Sequence, residues 1–200
     1  MLDKSIQYKN IIMRADDLVA GTAYALPTGF HFKLFEEGDE YSWADIETSV
    51  GEFESTDKAC KYFVDNYFTC ITELKKRCLF VLDEQGHSVG TCTAWFDKKG
   101  NDIVSSLHWL AVKPEFQGEG IAKSLISEIV RLFYFSHSFP VYIHTQTWSY
   151  KAIMLYSHFG FRILREENFS HYQNDFDDAM LILKNVLNKS SYSSLFDSAL

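Results

Sequence analysis

The amino-acid sequence predicts an α/β fold in which helices pack on a mixed, mostly antiparallel sheet. Three strand-like runs follow one another within residues 78–112 and are separated by DEQGH and DKKGN, two Gly-bearing turn signals. This pattern predicts neighbouring antiparallel strands. The predicted element order is β, helices, βββ, α, β, α, ββ, which disfavours a doubly wound parallel sheet.

The N-terminal part of the chain predicts one strand and then helices. The segment FHFKLF alternates as a strand does, and EEGDEYSWADIE predicts a helix with acidic residues in its first turn. Residues 57–76 have helical spacing and end in lysines. We expect one domain over residues 1–187, with residues 1–29 as an N-terminal extension packed on it.

The C-terminal part predicts two helices and three strands. IAKSLISEIVRLFYF keeps apolar residues at 121, 125, 129 and 132 or 133, which is one helix face. PVYIHT predicts a strand, SYKAIMLYSHF a second helix, and FRILRE and AMLILKN the closing strands. Residues 188–200 predict a polar tail or a short docking segment.

Composition excludes several classes of protein. The chain has 200 residues, 46% of them hydrophobic, which argues against disorder. A net charge of −8 argues against a nucleic-acid-binding face and fits a cationic small molecule better. The four cysteines have no metal-ligand spacing, so we expect buried thiols and no metal. No signal peptide or membrane span is predicted, and we expect a cytoplasmic protein.

The segment VKPEFQGEGIAKSL, residues 112–125, places two glycines where a helix begins. The first turn of a helix leaves about four backbone N–H groups unpaired, and glycine lets an anion approach them. The segment therefore predicts a phosphate cradle, with an ordinary strand–turn–helix join as the alternative. A P-loop is excluded because GKS and GKT are absent, and a dinucleotide fingerprint because the third glycine is missing.

Two motifs in this sequence resemble those of the GNAT N-acetyltransferase superfamily. Gln117 to Ala122, QGEGIA, resembles its acetyl-CoA signature Q/R-x-x-G-x-G/A, and a strand ending in LAV precedes it. Ala152 to Phe161, AIMLYSHFGF, is similar to the later family helix A-x-x-L-Y-x-x-x-G-F. The resemblance covers residues 78–165 and implies a GNAT-like fold with a splayed parallel strand pair.

The resemblance also implies which residues bind acetyl-CoA. The strand before the signature carries a bulge in the family, and its backbone at Leu110, Ala111 and Val112 would contact the pantetheine arm. The amides that would hold the pyrophosphate belong to Gln117, Gly118, Glu119, Gly120, Ile121, Ala122 and Lys123. Ser149 stands where many members have a cofactor-contacting Asn; the alternative is that Ser149 caps the helix.

Acetyl transfer to an amine needs a neutral nucleophile, yet an alkylammonium at pH 7 lies roughly 4.6 kcal/mol from its free base. His108 is the first candidate for the base; His144 and a water relay are the alternatives. In a regular strand His108, Leu110 and Val112 share one face, which a bulge would change. The resemblance implies that Tyr156 donates a hydrogen bond to the cofactor sulfur, and a backbone N–H at Leu110–Val112 is the predicted oxyanion donor.

The sequence defines the identity of the amine acceptor less closely than it defines the cofactor. Residues 34–57 contain nine acidic residues and no Lys or Arg, so they suit a cationic amine, with Tyr41, Trp43 and Phe53 as aromatic wall. The alternative is a solvated helix face. We expect acetyl-CoA-dependent transfer to a small or peptide amine by direct attack in a ternary complex, and a homodimer is possible. A catalytically idle acyl-CoA-binding module is the alternative function.

Overall fold

The computed structural model describes residues 2–17 and 23–200. Within them the strands form one mixed sheet in the order β2-β3-β4-β5-β6-β1-β7. The strands are β1 (Asn10–Ala15), β2 (His31–Leu34), β3 (Cys78–Leu82), β4 (Ser88–Lys99), β5 (Asp102–Val112), β6 (Val141–Gln146) and β7 (Arg162–Ile163).

Strand pairing confirms a mixed sheet that is mostly antiparallel. Strand β3 pairs antiparallel with β2 and with β4, and β1 pairs antiparallel with β6 and with β7. Strands β5 and β6 are parallel, and their register joins Ser105 to Val141 and Ser106 to Tyr142. This is the parallel pair that the resemblance implied.

The helices are α1 (Glu40–Ser49), α2 (Thr56–Tyr67), α3 (Ile71–Arg77), α4 (Ile121–Phe135), α5 (Tyr150–His158), α6 (Phe176–Val186) and α7 (Lys189–Ser198). Helix α4 has the bounds that its apolar spacing predicted. The single helix predicted over residues 57–76 is divided by a 3₁₀ turn, Phe68–Cys70. No helix in residues 2–17 or 23–200 is both long and apolar enough to cross a bilayer.

The closing strand predicted for AMLILKN is wrong, because this segment belongs to α6. Phe176, Ala179, Met180 and Leu183 are buried and follow one another at helical spacing, while Leu181 is 64% exposed. A short apolar run does not distinguish a strand from a buried helix face. Two aspartates in the first turn and a lysine in the last also favour the helix.

Strand β1 lies in residues that the sequence predicted only as an extension. Ile11, Ile12 and Met13 are consecutive and all fully buried, as in a strand covered on both faces. The register pairs Met13 with Ile143 on one side and with Ile163 on the other. This part of the extension is therefore an interior strand of the sheet.

Residues 188–200 form α7 rather than a polar tail. Asn188 caps the helix by accepting a hydrogen bond from the Ser191 N–H, and Leu195 is buried. The Arg165 guanidinium donates to the Phe196 carbonyl and lies 4.8 Å from the Phe196 ring centroid. The segment packs on its own neighbours, which fits the docking alternative.

The described chain forms two compact units. The first consists of residues 23–95 and 107–132, and its core is aromatic, with Trp43, Phe63 and Tyr67 buried. The second consists of residues 2–17, 96–106 and 133–200, and one of its clusters joins Ile12, Tyr142, Leu164 and Phe169. The assignment of residues 1–187 to one domain stays a prediction.

Candidate active site

Strand β5 is irregular at Trp109, next to the predicted catalytic histidine. Trp109 has a φ of +53°, which is rare for a bulky residue and typical of a bulge. His108 and Leu110 are half-buried, whereas Ala111 and Val112 are both buried. The irregularity at Trp109 therefore interrupts the alternation that would place His108, Leu110 and Val112 on one face. This is the change that a bulge in the strand predicted.

The end of β5 lies close to the start of α4. The Lys113 N–H donates to the Val89 carbonyl at 2.8 Å. A Cβ on Gly90 would lie 3.2 Å from the Ala111 carbonyl oxygen and 3.2 Å from the Leu125 Cδ1. Gly90 therefore permits a close approach of β4, β5 and α4, which sets the strand end beside the helix start.

The loop between β5 and α4 depends on two glycines for its backbone conformation. Gly118 and Gly120 have φ values of +89° and +94°, and an added Cβ would meet nothing within 4 Å at either. The Gln117 Nε2 donates to the Val112 carbonyl at 2.7 Å, which ties the loop to the strand. Residues 117–120 are exposed, so their backbone is open to a ligand.

The N-terminus of α4 suits an anion. Its first intrahelical bond runs from the Ser124 N–H to the Gly120 carbonyl at 3.1 Å, so the amides of Ile121, Ala122 and Lys123 precede it. The Lys123 Nζ lies 3.8 Å from the Tyr24 ring centroid. The residues predicted to hold the pyrophosphate thus form one continuous segment, in which Gln117 to Gly120 are exposed, Ala122 and Lys123 are half-buried and Ile121 is buried.

His108 forms a hydrogen bond that the sequence did not predict. Its Nδ1 lies 2.8 Å from the hydroxyl of Tyr67, the last residue of α2. Tyr67 is 2% exposed, and its ring lies edge-on to Trp95 at 5.0 Å. One imidazole nitrogen is thus occupied by a buried phenol, so proton exchange with a ligand falls to Nε2.

The groups around Tyr67 are buried and weakly ionised. Burial raises the pKa of Tyr67 well above its ordinary value, and it does the same for Glu47 and Cys92. Burial raises the pKa of Cys78 to about 12. These thiols are therefore protonated near neutral pH, which disfavours them as covalent carriers of an acetyl group.

Tyr156 and Ser149 lie at the two ends of α5 in the second unit. Tyr156 is 6% exposed, and its ring packs against Phe161 at 6.2 Å. Ser149 occupies the N-cap position without a side-chain capping bond, and its Oγ accepts from the Gln146 Nε2 at 3.2 Å. The capping alternative for Ser149 is therefore wrong, and its contact with a cofactor stays a prediction.

His144, the second candidate base, is part of the second unit. Its Nε2 lies 2.9 Å from the Oδ1 of Asn10, and its ring stacks on Tyr172 with centroids 3.3 Å apart. Because an amide oxygen only accepts hydrogen bonds, this Nε2 carries a hydrogen in the structure. That arrangement fits a structural histidine better than a base acting through Nε2.

The acidic segment is less available to a ligand than its composition suggests. Of its nine acidic residues, five pair with lysines, and Glu47 is 1% exposed with its Oε1 lacking a hydrogen-bond partner. Of the aromatic wall, Tyr41 is 66% exposed, whereas Trp43 is fully buried. The five paired residues are Glu36, Glu37, Asp39, Asp45 and Glu54.

The sequence did not single out three residues for the site: Tyr67, which contacts His108, Trp109, which follows it, and Glu47, which acts electrostatically on Tyr67. Nothing in the spacing of α2 distinguishes Tyr67 from Tyr62, and 41 residues separate Tyr67 from His108. Glu47 follows Trp43 by one helical turn on the buried face of α1, a pattern that could have marked it.

Among the described residues, no group of three or more His, Cys, Asp or Glu could hold a metal ion.

Known proteins share this fold. Residues 75–163 match the family model described as an acetyltransferase (GNAT) domain. A GCN5-related N-acetyltransferase from Sphaerobacter thermophilus is 20% identical with a TM-score of 0.60, over 79% of this chain and 49% of that one. A GNAT-family acetyltransferase from Novosphingobium aromaticivorans is 16% identical with a TM-score of 0.52, over 79% and 61%.

A third solved structure is the NatC complex bound to Gag peptide and CoA. It is 18% identical with a TM-score of 0.50, over 66% of this chain and 83% of that one. At such identities the likeness shows the fold alone, and the match spans about half of the Sphaerobacter protein. No curated protein sequence matches this chain. Residues 75–163 are therefore similar to GNAT acetyltransferase domains, and the solved structures show that the chain shares their fold.

Proposed function

We propose that this protein transfers the acetyl group of acetyl-CoA to a primary amine by direct attack in a ternary complex. The observation that carries the proposal is the exposed turn Gln117–Gly120, in which two glycines of positive φ lead into a 15-residue helix within the GNAT match. The CoA in the NatC structure supports the choice of cofactor.

The proposed cofactor site uses backbone groups of the first unit. The amides of Gly118 to Lys123 would bind the diphosphate, each as a charge-assisted hydrogen bond of roughly 1.5–3 kcal/mol. The backbone of Leu110 and Ala111 would contact the pantetheine arm. The Val112 carbonyl already accepts from Gln117, so Val112 would contribute through its N–H.

Two side chains are proposed as catalytic, His108 and Tyr156. Acetyl-CoA would supply an acetyl group activated as a thioester. Tyr156 would donate a hydrogen bond to the departing sulfur, since a phenol donates without giving up its proton. His108 would act on the acceptor through Nε2, either taking a proton there or donating one to a hydrogen bond.

The proposed acceptor is a small cationic amine or a peptide amine. The net charge of −8 favours approach of a cation, although five of the acids in residues 34–57 are paired with lysines. The peptide alternative is supported by the NatC structure, which holds a peptide. The protein is proposed to be cytoplasmic, and a homodimer is possible.

Thiol release from acetyl-CoA across polyamines, arylalkylamines, amino acids and N-terminal peptides tests this proposal. We expect release with at least one amine, and Tyr156→Phe to lower kcat by about 10²–10³-fold, as loss of a transition-state donor does. Calorimetry should show unchanged CoA affinity in that variant. Tyr134→Phe, an exposed tyrosine on α4, is the matched control. CoA binding without release for any amine would favour the idle module.

The turn itself is tested by Gly118→Ala. An L-residue at a φ of +89° is strained, so we expect weaker CoA binding. Gly86→Ala is the control, because Gly86 has a φ of +84° and equally open surroundings in the β3–β4 turn. Equal loss of CoA affinity in both variants would attribute the effect to general destabilisation, and no heat with CoA in the wild type would remove the proposed site.

A further inference from the structure

The hydrogen bond between Tyr67 and His108 determines where the imidazole carries its hydrogen. The two atoms are the Tyr67 hydroxyl oxygen and the His108 Nδ1, 2.8 Å apart. A phenol can donate or accept in such a pair. The direction of this hydrogen bond therefore depends on which acceptor is within reach of the phenol hydrogen.

The hydroxyl hydrogen of Tyr67 needs an acceptor within the protein. Tyr67 is 2% exposed, and a buried hydroxyl that found no acceptor would lose the hydrogen bond it has in water. In the described part of the chain, His108 Nδ1 is the acceptor found for that hydrogen.

We propose that Tyr67 is a positioning residue that holds neutral His108 with its hydrogen on Nε2, so that His108 acts as a hydrogen-bond donor. The ring then presents an N–H to a bound ligand. The catalytic part of this inference rests on the proposed function. Because a hydrogen-bond donor does not take up the proton of the amine, that proton would leave along a water path.

The bond to Tyr67 also opposes a charged ring. A second proton would have to bind at Nδ1, and the buried Tyr67 hydrogen would lose its acceptor. Glu47, Tyr62 and Cys78 are the titratable groups that act on Tyr67, and the Cys92 Sγ lies 3.8 Å from the His108 carbonyl. Glu47 and the two thiols favour their neutral forms, so they offer the imidazolium no compensating charge.

Nitrogen-15 NMR of histidine-labelled protein tests this inference without any substrate. His108 is assigned by the signal lost in His108→Asn. We expect a protonated Nε2 and an unprotonated Nδ1 in the wild type. In Tyr67→Phe the tautomer preference should weaken and the titration midpoint of His108 should rise by about 1 pH unit, which corresponds to about 1.4 kcal/mol.

Tyr62→Phe is the matched control, because Tyr62 lies on the same helix as Tyr67 and packs against Trp109, the neighbour of His108 in the chain. It should leave the His108 signals and midpoint unchanged. A wild-type ring with its hydrogen on Nδ1 would overturn the inference, as would a Tyr67→Phe variant that folds and titrates like the wild type. Failure of every amine to be acetylated would instead overturn the proposed function, and the NMR result would still stand.

Discussion

Two strand histidines, His108 on β5 and His144 on β6, differ in the partner that each side chain has. His108 meets a phenol at Nδ1, and His144 meets an amide oxygen at Nε2. An amide oxygen fixes the direction of the bond by itself, whereas a phenol leaves it to its other contacts. The direction of the His108 bond is therefore set by the burial of Tyr67, whereas the direction of the His144 bond is set by Asn10 itself.

The largest expected effect is the difference in activity between the two alanine variants. His108→Ala should lower kcat/KM by about 10²-fold, the low end of what a positioned proton-handling group contributes. His144→Ala should change it by less than about 3-fold, because its Nε2 is engaged with Asn10. Steady-state thiol release measures both, and equal losses would break the comparison.

The pH profile of His108→Ala sharpens the same test. If His108 donates a hydrogen bond from a neutral ring, the loss of rate should be similar across the pH range and the optimum should stay in place. An optimum that moves upward would show that His108 takes the proton of the amine, and it would contradict the donor role.

The next effect concerns stability around Tyr67. The pKa of Glu47 is raised in the folded protein by burial, first of all, and by Glu52. The folded state then holds a proton that the unfolded state releases above about pH 4.3, so stability falls as the pH rises from there toward the folded pKa. The fall is at most about 1.4 kcal/mol per pH unit.

Glu47→Gln removes this ionisation, so urea unfolding should show a smaller loss of stability between pH 5 and pH 8 than in the wild type. Glu128→Gln, on the half-exposed face of α4, is the control and should keep the wild-type slope. A wild type whose stability is flat over this range would show that Glu47 is ionised in the fold.

The smallest effect is expected at the partner of His144. Asn10→Ala removes the acceptor of the His144 Nε2 and of the Tyr8 hydroxyl, which donates to the same Oδ1 at 3.0 Å. We expect a loss of about 1 kcal/mol and a fall in Tm of about 2–4 °C. The exposed Asn185→Ala should not lower Tm, and thermal unfolding of both variants measures the difference.

The sequence predicted the parts of the site that depend on local spacing. Helix α4 and the turn before it followed from apolar periodicity and two glycines, both of which are read within fifteen residues. Strand β1 was missed because a short apolar run without alternation has no local signature. Helix α6 was predicted as a strand for the same reason. Its apolar run includes Leu181, and only the structure shows that Leu181 is exposed and lies off the buried face.

The setting of His108 could not be predicted, because it is built from residues distant in the chain. Tyr67 reaches His108 across 41 residues, and Trp109 takes its backbone angle from an irregularity in β5. The ion pairs of the acidic segment could not be predicted for a related reason. Its charges were counted along the chain, whereas Lys75 and Lys113, which pair with Glu37 and Asp45, come from other elements.

The bond from the Gln117 amide to the Val112 carbonyl makes this turn sensitive to a change of a single atom. Deamidation of Gln117 would replace a donor with a carboxylate, so that two acceptors would face each other at the strand end. The turn would then lose this bond to β5 and carry a negative charge beside the amides that lead into α4. Chemical ageing at this one side chain would therefore repel a diphosphate and leave the rest of the fold intact.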